Sequence, residues 1–364
     1  MYPPSPQRRI PLPLTPPRLV WGLLGINVVM FLVETVMQFV LGSEHVMLVT
    51  LGAKVNALIV MGQYWRLITP MFLHIGLVHL LFNSYALYAI GPEVEALYGR
   101  ARFLTVYFLS GAAGNVMSYA FTPGLSAGAS TSLFGLIGAQ LVFYYRQREI
   151  LGMFGQQRLI NIVGIIAINL FFGASNPGID NFGHLGGFVG GVVLGWLLCP
   201  VYEIEYGWEG QARALDRNLL RQELPGVALF IVLLIVAIGA VTFQQANRPE
   251  VKLEQGLEAF RRSDYEAALS WLEQAARELP DDAEAQYLLA ADYFNLGRHA
   301  EAAPFFENAL KLAPDLPDAH FYLAISYLQL GRRADAAPHL RRYLALAPQG
   351  ENADKAQQLL AQVE

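Results

Sequence analysis

Seven stretches of almost unbroken apolar residues run along the chain, at about Leu19 to Leu41, Met71 to Ile90, Phe103 to Phe121, Ala129 to Tyr145, Leu159 to Ala174, Phe182 to Leu198 and Gly226 to Phe243. One helix needs about 20 such residues to cross a hydrocarbon core, so the pattern predicts seven transmembrane helices. The first two are joined by about thirty residues that are neither clearly soluble nor long enough to span twice. That connection includes Trp65 and Arg66, residue types that favour a membrane–water interface, and is expected to lie in the membrane surface. From about Pro249 the pattern changes to Ala, Leu, Glu and Arg with helical periodicity.

Within that last part prolines recur 34 residues apart, at Pro280, Pro314 and Pro348, and an alanine precedes each by twelve residues: Ala268, Ala302 and Ala336. Ala290 repeats as Ala324, Tyr293 as Tyr327 and Ala275 as Ala309. This resembles the tetratricopeptide repeat, in which small residues let two antiparallel helices pack closely and a proline ends the second. The resemblance implies a soluble α-solenoid with repeats at about 249–282, 283–316 and 317–350 and a capping helix at 352–363. Its concave face is expected to recruit a protein partner or substrate; the plainer expectation is that the array only stabilises a dimer or caps the bundle.

Composition agrees with lipid as the solvent of the rest. The 364 residues are 54% hydrophobic and only 15% charged, against about 25% charged in average soluble proteins. The net charge of -5 mixes a membrane part with a soluble part and says little about partners. The chain has no Lys/Arg-rich face, which argues against nucleic acid. A single cysteine, Cys199, excludes an intramolecular disulfide framework and reads as a buried small hydrophobe. Residues 1–17, rich in proline and carrying Arg8 and Arg9, read as a disordered tail and not as a cleavable signal.

Lys and Arg favour the cytoplasmic side of a membrane. Arg8, Arg9 and Arg18 precede the first span, Arg100 and Arg102 follow the second, Arg146, Arg148 and Arg158 flank the fourth-to-fifth loop, and Arg213, Arg217 and Arg221 precede the seventh. The alternate loops, Thr122 to Gly128 and Ser175 to Asn181, contain neither residue. The expectation is a multi-pass protein of the plasma (inner) membrane with its N-terminus in the cytoplasm and its repeats outside. The domains are then a tail at 1–17, a six-helix core at 18–200, a cytoplasmic linker at 201–224, a seventh helix at 225–244 and the repeats.

Polar residues inside membrane helices are costly, so each needs a reason. The second span carries His74, His79 and Asn83, the last two sharing one helix face. Ser130 opens the fourth span in GASTSLFG, and His184 opens the sixth in NFGHLGGFVGG. All fall near the outer face. Serine needs an adjacent base to become nucleophilic, and His184 supplies one if the fourth and sixth helices touch. Glycines at 183, 187, 191 and 195, with 186 and 190 beside them, permit that approach; Gly128, Ser132, Gly135 and Ala139 are the expected facing surface. The N–H groups at a helix start, with His79 and Asn83, are candidate oxyanion donors. Phe134, one turn after Ser130, is placed to support the imidazole; Asp180, four residues before His184, is a less favoured orienting group in the preceding loop. Three histidines without HExxH, a cysteine partner or an acidic ligand do not suggest zinc, and no metal or organic cofactor is expected.

HxxxxHxxxN on one helix, GxS followed by an aromatic on another, and HLGG with repeated glycines on a third resemble the rhomboid family of intramembrane serine proteases over about residues 18–200. The Trp65–Arg66 pair fits as well. The resemblance implies a Ser130–His184 dyad, oxyanion support from His79 and Asn83 with Gly128 beside the serine, a hydrogen-bonding role for His74, and hydrolysis of transmembrane protein substrates near the outer leaflet. Thr131 departs from the family's usual glycine and is expected to narrow the substrate groove. A water-filled cavity lined by His74, His79, Asn83 and residues 126–130, and a fifth helix moving as a gate, are further expectations. Two non-enzymatic alternatives stay open: an inactive relative that binds membrane segments, and a membrane-anchored adaptor.

Overall fold

A computed structural model describes residues 14–176, 178–206, 212–218 and 220–363. The expected N-terminal tail lies outside these residues up to position 13. The chain divides into Met1–Phe243 and Gln244–Glu364.

In the first unit, α1 (Leu19–Leu41) is followed by α2 (Glu44–Leu51), α3 (Asn56–Val60) and two 3₁₀ turns at Tyr64–Leu67 and Thr69–Phe72. Then come α4 (Gly76–Tyr98), α5 (Arg100–Phe121), α6 (Ser130–Arg146), α7 (Arg148–Ser175) and α8 (Asn181–Leu198). A hairpin of β1 (Tyr202–Tyr206) and β2 (Ala212–Asp216) leads to α9 (Leu220–Ala246). Among the described residues, α1, α7, α8 and α9 are by themselves long and apolar enough to cross a membrane. The helices α4, α5 and α6 are more polar because they form the interior: Asn83, Glu95, Ser110, Asn115, Ser118, Ser132 and Gln140 are all buried. In α6, 13 of 17 residues are buried, which makes it the axis around which the others pack.

The second span differs from its predicted start at Met71. Residues 69–72 form a 3₁₀ turn, and Gly76, at φ +76°, turns the backbone into α4. His74 therefore precedes the helix instead of riding on it. At its other end α4 runs past two carboxylates because both have partners. Glu95 accepts the N–H groups of Arg18, Leu19 and Val20 at 2.8 to 3.0 Å and so neutralises the positive start of α1. Glu93 accepts from Gln140 Nε2 at 2.6 Å and from the Tyr144 hydroxyl, tying α4 to α6. The expected fourth-to-fifth loop is a short connection: Gln147 separates α6 from a first turn of α7, and the backbone leaves helical geometry at Gly152 (φ +53°) before α7 continues.

The connection after α1 has a buried core of its own, formed by Met47, Leu48, Ala53 and Leu73. Arg66, expected at the interface, is 4% exposed. Its Nη1 donates to the carbonyls of Val49 and Ala53 at 2.9 Å and its Nε to Gln63, while its guanidinium lies over the Trp65 ring. Charged donors of this kind are worth about 1.5–3 kcal/mol each, so the pair organises the segment.

The predicted linker is not irregular. Tyr202 to Tyr206 alternate aromatic or apolar with acidic residues, the period of a strand, and pair antiparallel with Ala212 to Asp216. Among the described residues this hairpin is the one β-sheet, beside an isolated bridge between Lys54 and Ser126. Arg102, counted among the inside positive charges, is buried and bonds Glu223 of α9, Asp216 of β2 and the Asn218 carbonyl. It fastens hairpin and α9 to α5, and α9 packs Leu234, Ala237, Ile238 and Val241 against Ile59, Leu67, Val116 and Tyr119.

The second unit consists of helix pairs α10 (Pro249–Arg261) with α11 (Tyr265–Glu278), α12 (Ala283–Asn295) with α13 (His299–Leu312), and α14 (Pro317–Gln329) with α15 (Arg333–Leu346), followed by α16 (Ala353–Val363). The repeated alanines at 268, 275, 290, 302, 309, 324 and 336 are fully buried, since no larger side chain fits where paired helices cross. Pro280, Pro314 and Pro348 follow the ends of α11, α13 and α15. Two repeats share one side-chain cassette: Tyr293 donates to Glu273 beneath Arg298, and Tyr327 to Glu307 beneath Arg332, both at 2.6 Å.

Candidate active site

The helix α8 is seated between α5 and α6 by two glycine faces. A Cβ added at Gly187 would stand 2.1 Å from the Thr131 carbonyl oxygen, one at Gly191 2.0 Å from that of Gly135, and one at Gly195 2.6 Å from the Ala139 Cα. Gly186 and Gly190 abut Met117, Ala113 and Ser110 of α5 instead. The facing surface on α6 therefore includes Thr131, Gly135, Gly138 and Ala139. Gly128 and Ser132 face elsewhere: Gly128 meets His79, and Ser132 meets Gly111 of α5. Rotation of α6 about its axis decides this, and sequence spacing does not fix it.

Ser130 is the first residue of α6, with Ala129 as an N-cap that offers no side-chain acceptor, so the backbone donors of the first turn are available. Phe134 lies one turn on. Its ring stacks on that of His184, with centroids 4.4 Å apart and planes 16° from parallel. The imidazole is thus held flat on the α6 face that carries Ser130. Among the described residues no hydrogen bond joins the two side chains; both are half-buried.

Opposite them stands α4. Ile75 donates its backbone N–H to His79 Nδ1 at 3.2 Å, which makes Nδ1 an acceptor and leaves the proton of the neutral ring on Nε2. That Nε2 lies 2.8 Å, and Asn83 Nδ2 3.6 Å, from where a Cβ on Gly128 would be. Gly128 has φ +135°, so the close approach and the backbone both require glycine. Asn83 Nδ2 is buried without a hydrogen-bond partner among the described residues. Two side-chain donors and a free helix start therefore converge two residues before Ser130.

His74 is 1% exposed, its ring edge-on to His79 at 5.4 Å, and its backbone N–H is bound by Glu34. Ser126 is also buried, whereas His79, Ser130 and His184 are half-buried. Thr131 does not narrow a groove: it is buried, with its Cβ and Cγ2 filling the crevice between Gly114 of α5 and Gly183 of α8. Trp65 is half-exposed, with its ring beside Gly52.

Asp180 is the N-cap of α8. Its carboxylate accepts the Gly183 N–H and Thr122 Oγ1, each at 2.9 Å, Ser126 Oγ at 2.7 Å, and Ser118 Oγ. These bonds occupy it, so it anchors the loop before Ser130 and the start of α8 and does not orient the His184 ring. Beside it, Lys54 Nζ donates to the Thr122 carbonyl at 2.6 Å. Sequence reasoning passed over Lys54, Glu34 and the anchoring role of Asp180. An isolated carboxylate in an apolar run, as at Glu34, was the available signal.

Comparison with known proteins agrees with this architecture. The rhomboid domain profile matches residues 61–201. The chain is 32% identical over 182 residues to rhomboid-like protease 3 of Toxoplasma gondii, covering 48% of this chain and 67% of that one. It is 34% identical over 259 residues to the rhomboid protease GluP of Bacillus subtilis, covering 70% of this chain but 47% of GluP, so the chain spans about half the length of that relative. A second profile, described as anaphase-promoting complex, cyclosome, subunit 3, matches residues 261–343. The TPR2B domain of yeast Sti1, solved as a complex with pHsp70, is 22% identical over 32% of this chain and 94% of its own, with a TM-score of 0.29. The protein belongs to the rhomboid family. It is an integral membrane protein with a C-terminal tetratricopeptide-like region.

Proposed function

We propose that the chain is an intramembrane serine endopeptidase that cleaves peptide bonds in or near transmembrane segments of other proteins, with Ser130 as nucleophile and His184 as base. The stacking of His184 on Phe134, one turn from Ser130, carries this reading. Hydrogen bonds between catalytic groups commonly tighten only when substrate is bound, and a single rotation about χ1 moves a serine hydroxyl toward a neighbouring ring. His184 takes the hydroxyl proton as Oγ attacks the scissile carbonyl carbon. The oxygen, now negative, accepts from His79 Nε2, Asn83 Nδ2 and the first N–H groups of α6. Collapse of the tetrahedral adduct breaks the C–N bond, and His184 returns the proton to the leaving amine. Water, deprotonated by the same imidazole, then releases the acyl group and restores Ser130.

A serine-directed phosphonate should label the wild-type protein in bilayers, and Ser130→Ala should abolish both labelling and cleavage of a transmembrane substrate. Asn83→Ala should lower kcat by about 10²-fold, the usual effect of removing one oxyanion donor. A wild-type protein that neither labels nor cleaves would favour the membrane-binding or adaptor readings. The soluble repeats recruit a protein partner or the substrate itself; truncation after Phe243 should then slow processing of natural substrates selectively. The N-terminus is cytoplasmic and the repeats lie outside the plasma membrane, which protease digestion of intact spheroplasts tests directly. The helix α7 is the moving gate for substrate, and a cross-link between α4 and α7 should slow cleavage of membrane substrates.

A further inference from the structure

The one carboxylate in the middle of α1, Glu34, is 1% exposed. An acidic residue at the centre of a membrane helix costs about 2.5–3.5 kcal/mol, so its burial requires a compensating interaction. Glu34 has no cationic partner among the described residues. Instead both its oxygens receive one backbone N–H, that of His74, at 3.1 and 3.2 Å. His74 is joined through its peptide bond to Ile75, whose N–H is donated to His79 Nδ1. The following residue, Gly76, turns at φ +76° into α4, so this short segment has no regular structure of its own to hold it. On its other side the His74 ring packs edge-on against His79.

We propose that Glu34 is a positioning residue for the oxyanion site: by fixing the His74 backbone from α1, it holds the Ile75 N–H on His79 Nδ1 and so keeps the Nε2 proton of His79 aimed beside Gly128. This rests on the reading of His79 as an oxyanion donor. A neutral imidazole has two tautomers, and only the one protonated on Nε2 donates toward Gly128. Losing the carboxylate frees residues 74 and 75, releases Nδ1 and lets the proton shift to the wrong nitrogen. Substrate binding elsewhere in the bundle is untouched.

The test uses the full-length chain in bilayers with ¹⁵N-labelled histidine. The wild type should show His79 with an unprotonated Nδ1 and a protonated Nε2, the resonance being assigned by its loss in His79→Asn. In Glu34→Ala the two tautomers should mix, and kcat should fall by about tenfold, less than for loss of a donor itself, with KM within twofold. Glu34→Gln keeps one acceptor oxygen and should recover most of kcat and the wild-type spectrum; it also serves if Glu34→Ala does not fold. An unchanged His79 spectrum with wild-type kcat in a folded Glu34 variant overturns the proposal, as does a loss confined to KM. If instead Ser130→Ala stays active, the dyad reading fails; the tautomer measurement needs no turnover and keeps the two failures apart.

Discussion

Gly187→Ala tests the packing that places α6, which carries Ser130, beside α8, which carries His184. The added Cβ would lie 2.1 Å from the Thr131 carbonyl oxygen, and ordinary contact begins near 3.4 Å, so α6 and α8 must separate by about 1.3 Å at this level. The obstacle is backbone on both sides and cannot rotate away. Overpacking of this kind destabilises by about 1–3 kcal/mol. On the proposed mechanism the functional effect is sharper, because Thr131 adjoins Ser130, the proposed nucleophile, and Gly187 lies three residues after His184, the proposed base. A displacement of about 1 Å between reacting groups costs about 10²-fold in rate, equivalent to about 2.7 kcal/mol of barrier. The assay is the initial rate of cleavage of a fluorogenic transmembrane peptide in proteoliposomes, with thermal unfolding run in parallel. Gly22→Ala in α1, where no atom lies within 4 Å of the new Cβ, is the control and should keep the wild-type rate. Gly187→Ala with a rate within threefold of wild type would refute the reasoning.

Three further outcomes follow from other positions. Thr131→Val keeps the methyl group in the α5–α8 crevice and replaces a buried hydroxyl without a partner by a second methyl, so stability should rise by about 1 kcal/mol in thermal unfolding with KM unchanged. Arg102→Met strands Glu223 in a buried site and should cost about 3 kcal/mol, seen as faster proteolysis between α8 and α9. In the repeats, burial pushes the Asp292 carboxyl up to about 7, with Glu266 adding to the effect. The folded chain then holds a proton that the unfolded chain has lost, so stability falls as pH rises from about 4 to about 7. Asp292→Asn should match wild type near pH 4 and exceed it by about 4 kcal/mol at pH 8, read from amide exchange of α12 in the full chain.

The elements with a strong period were legible in sequence: the apolar runs, the 34-residue repeat, and the polar residues His79, Asn83, Ser130 and His184 that the fold brings to one end of the bundle. Less legible was what depends on helix rotation or on distant partners. Spacing put Ser132 and Gly128 opposite the α8 glycines, whereas the roll of α6 presents Thr131 and Gly135 there. Thr131 looked like a groove residue because it follows the serine, yet one step along a helix turns a side chain by about 100°, here into the core. The start of α4 was placed too early because apolar residues continue through a 3₁₀ turn that only the Gly76 backbone reveals. The hairpin escaped notice because five alternating residues are a weak signal beside long hydrophobic runs.

The Asp180 knot bears on how a bundle that breathes in fluid lipid can keep two side chains distant in sequence in register. One carboxylate holds the loop that leads into Ser130, through Thr122 and Ser126, and the first turn of the helix that bears His184. Thermal tilting of either helix pulls on the same peg, so Ser130 and His184 drift together and their mutual distance fluctuates less than the position of either. A membrane bundle built this way tolerates changes of bilayer thickness that would throw independently mounted groups out of register.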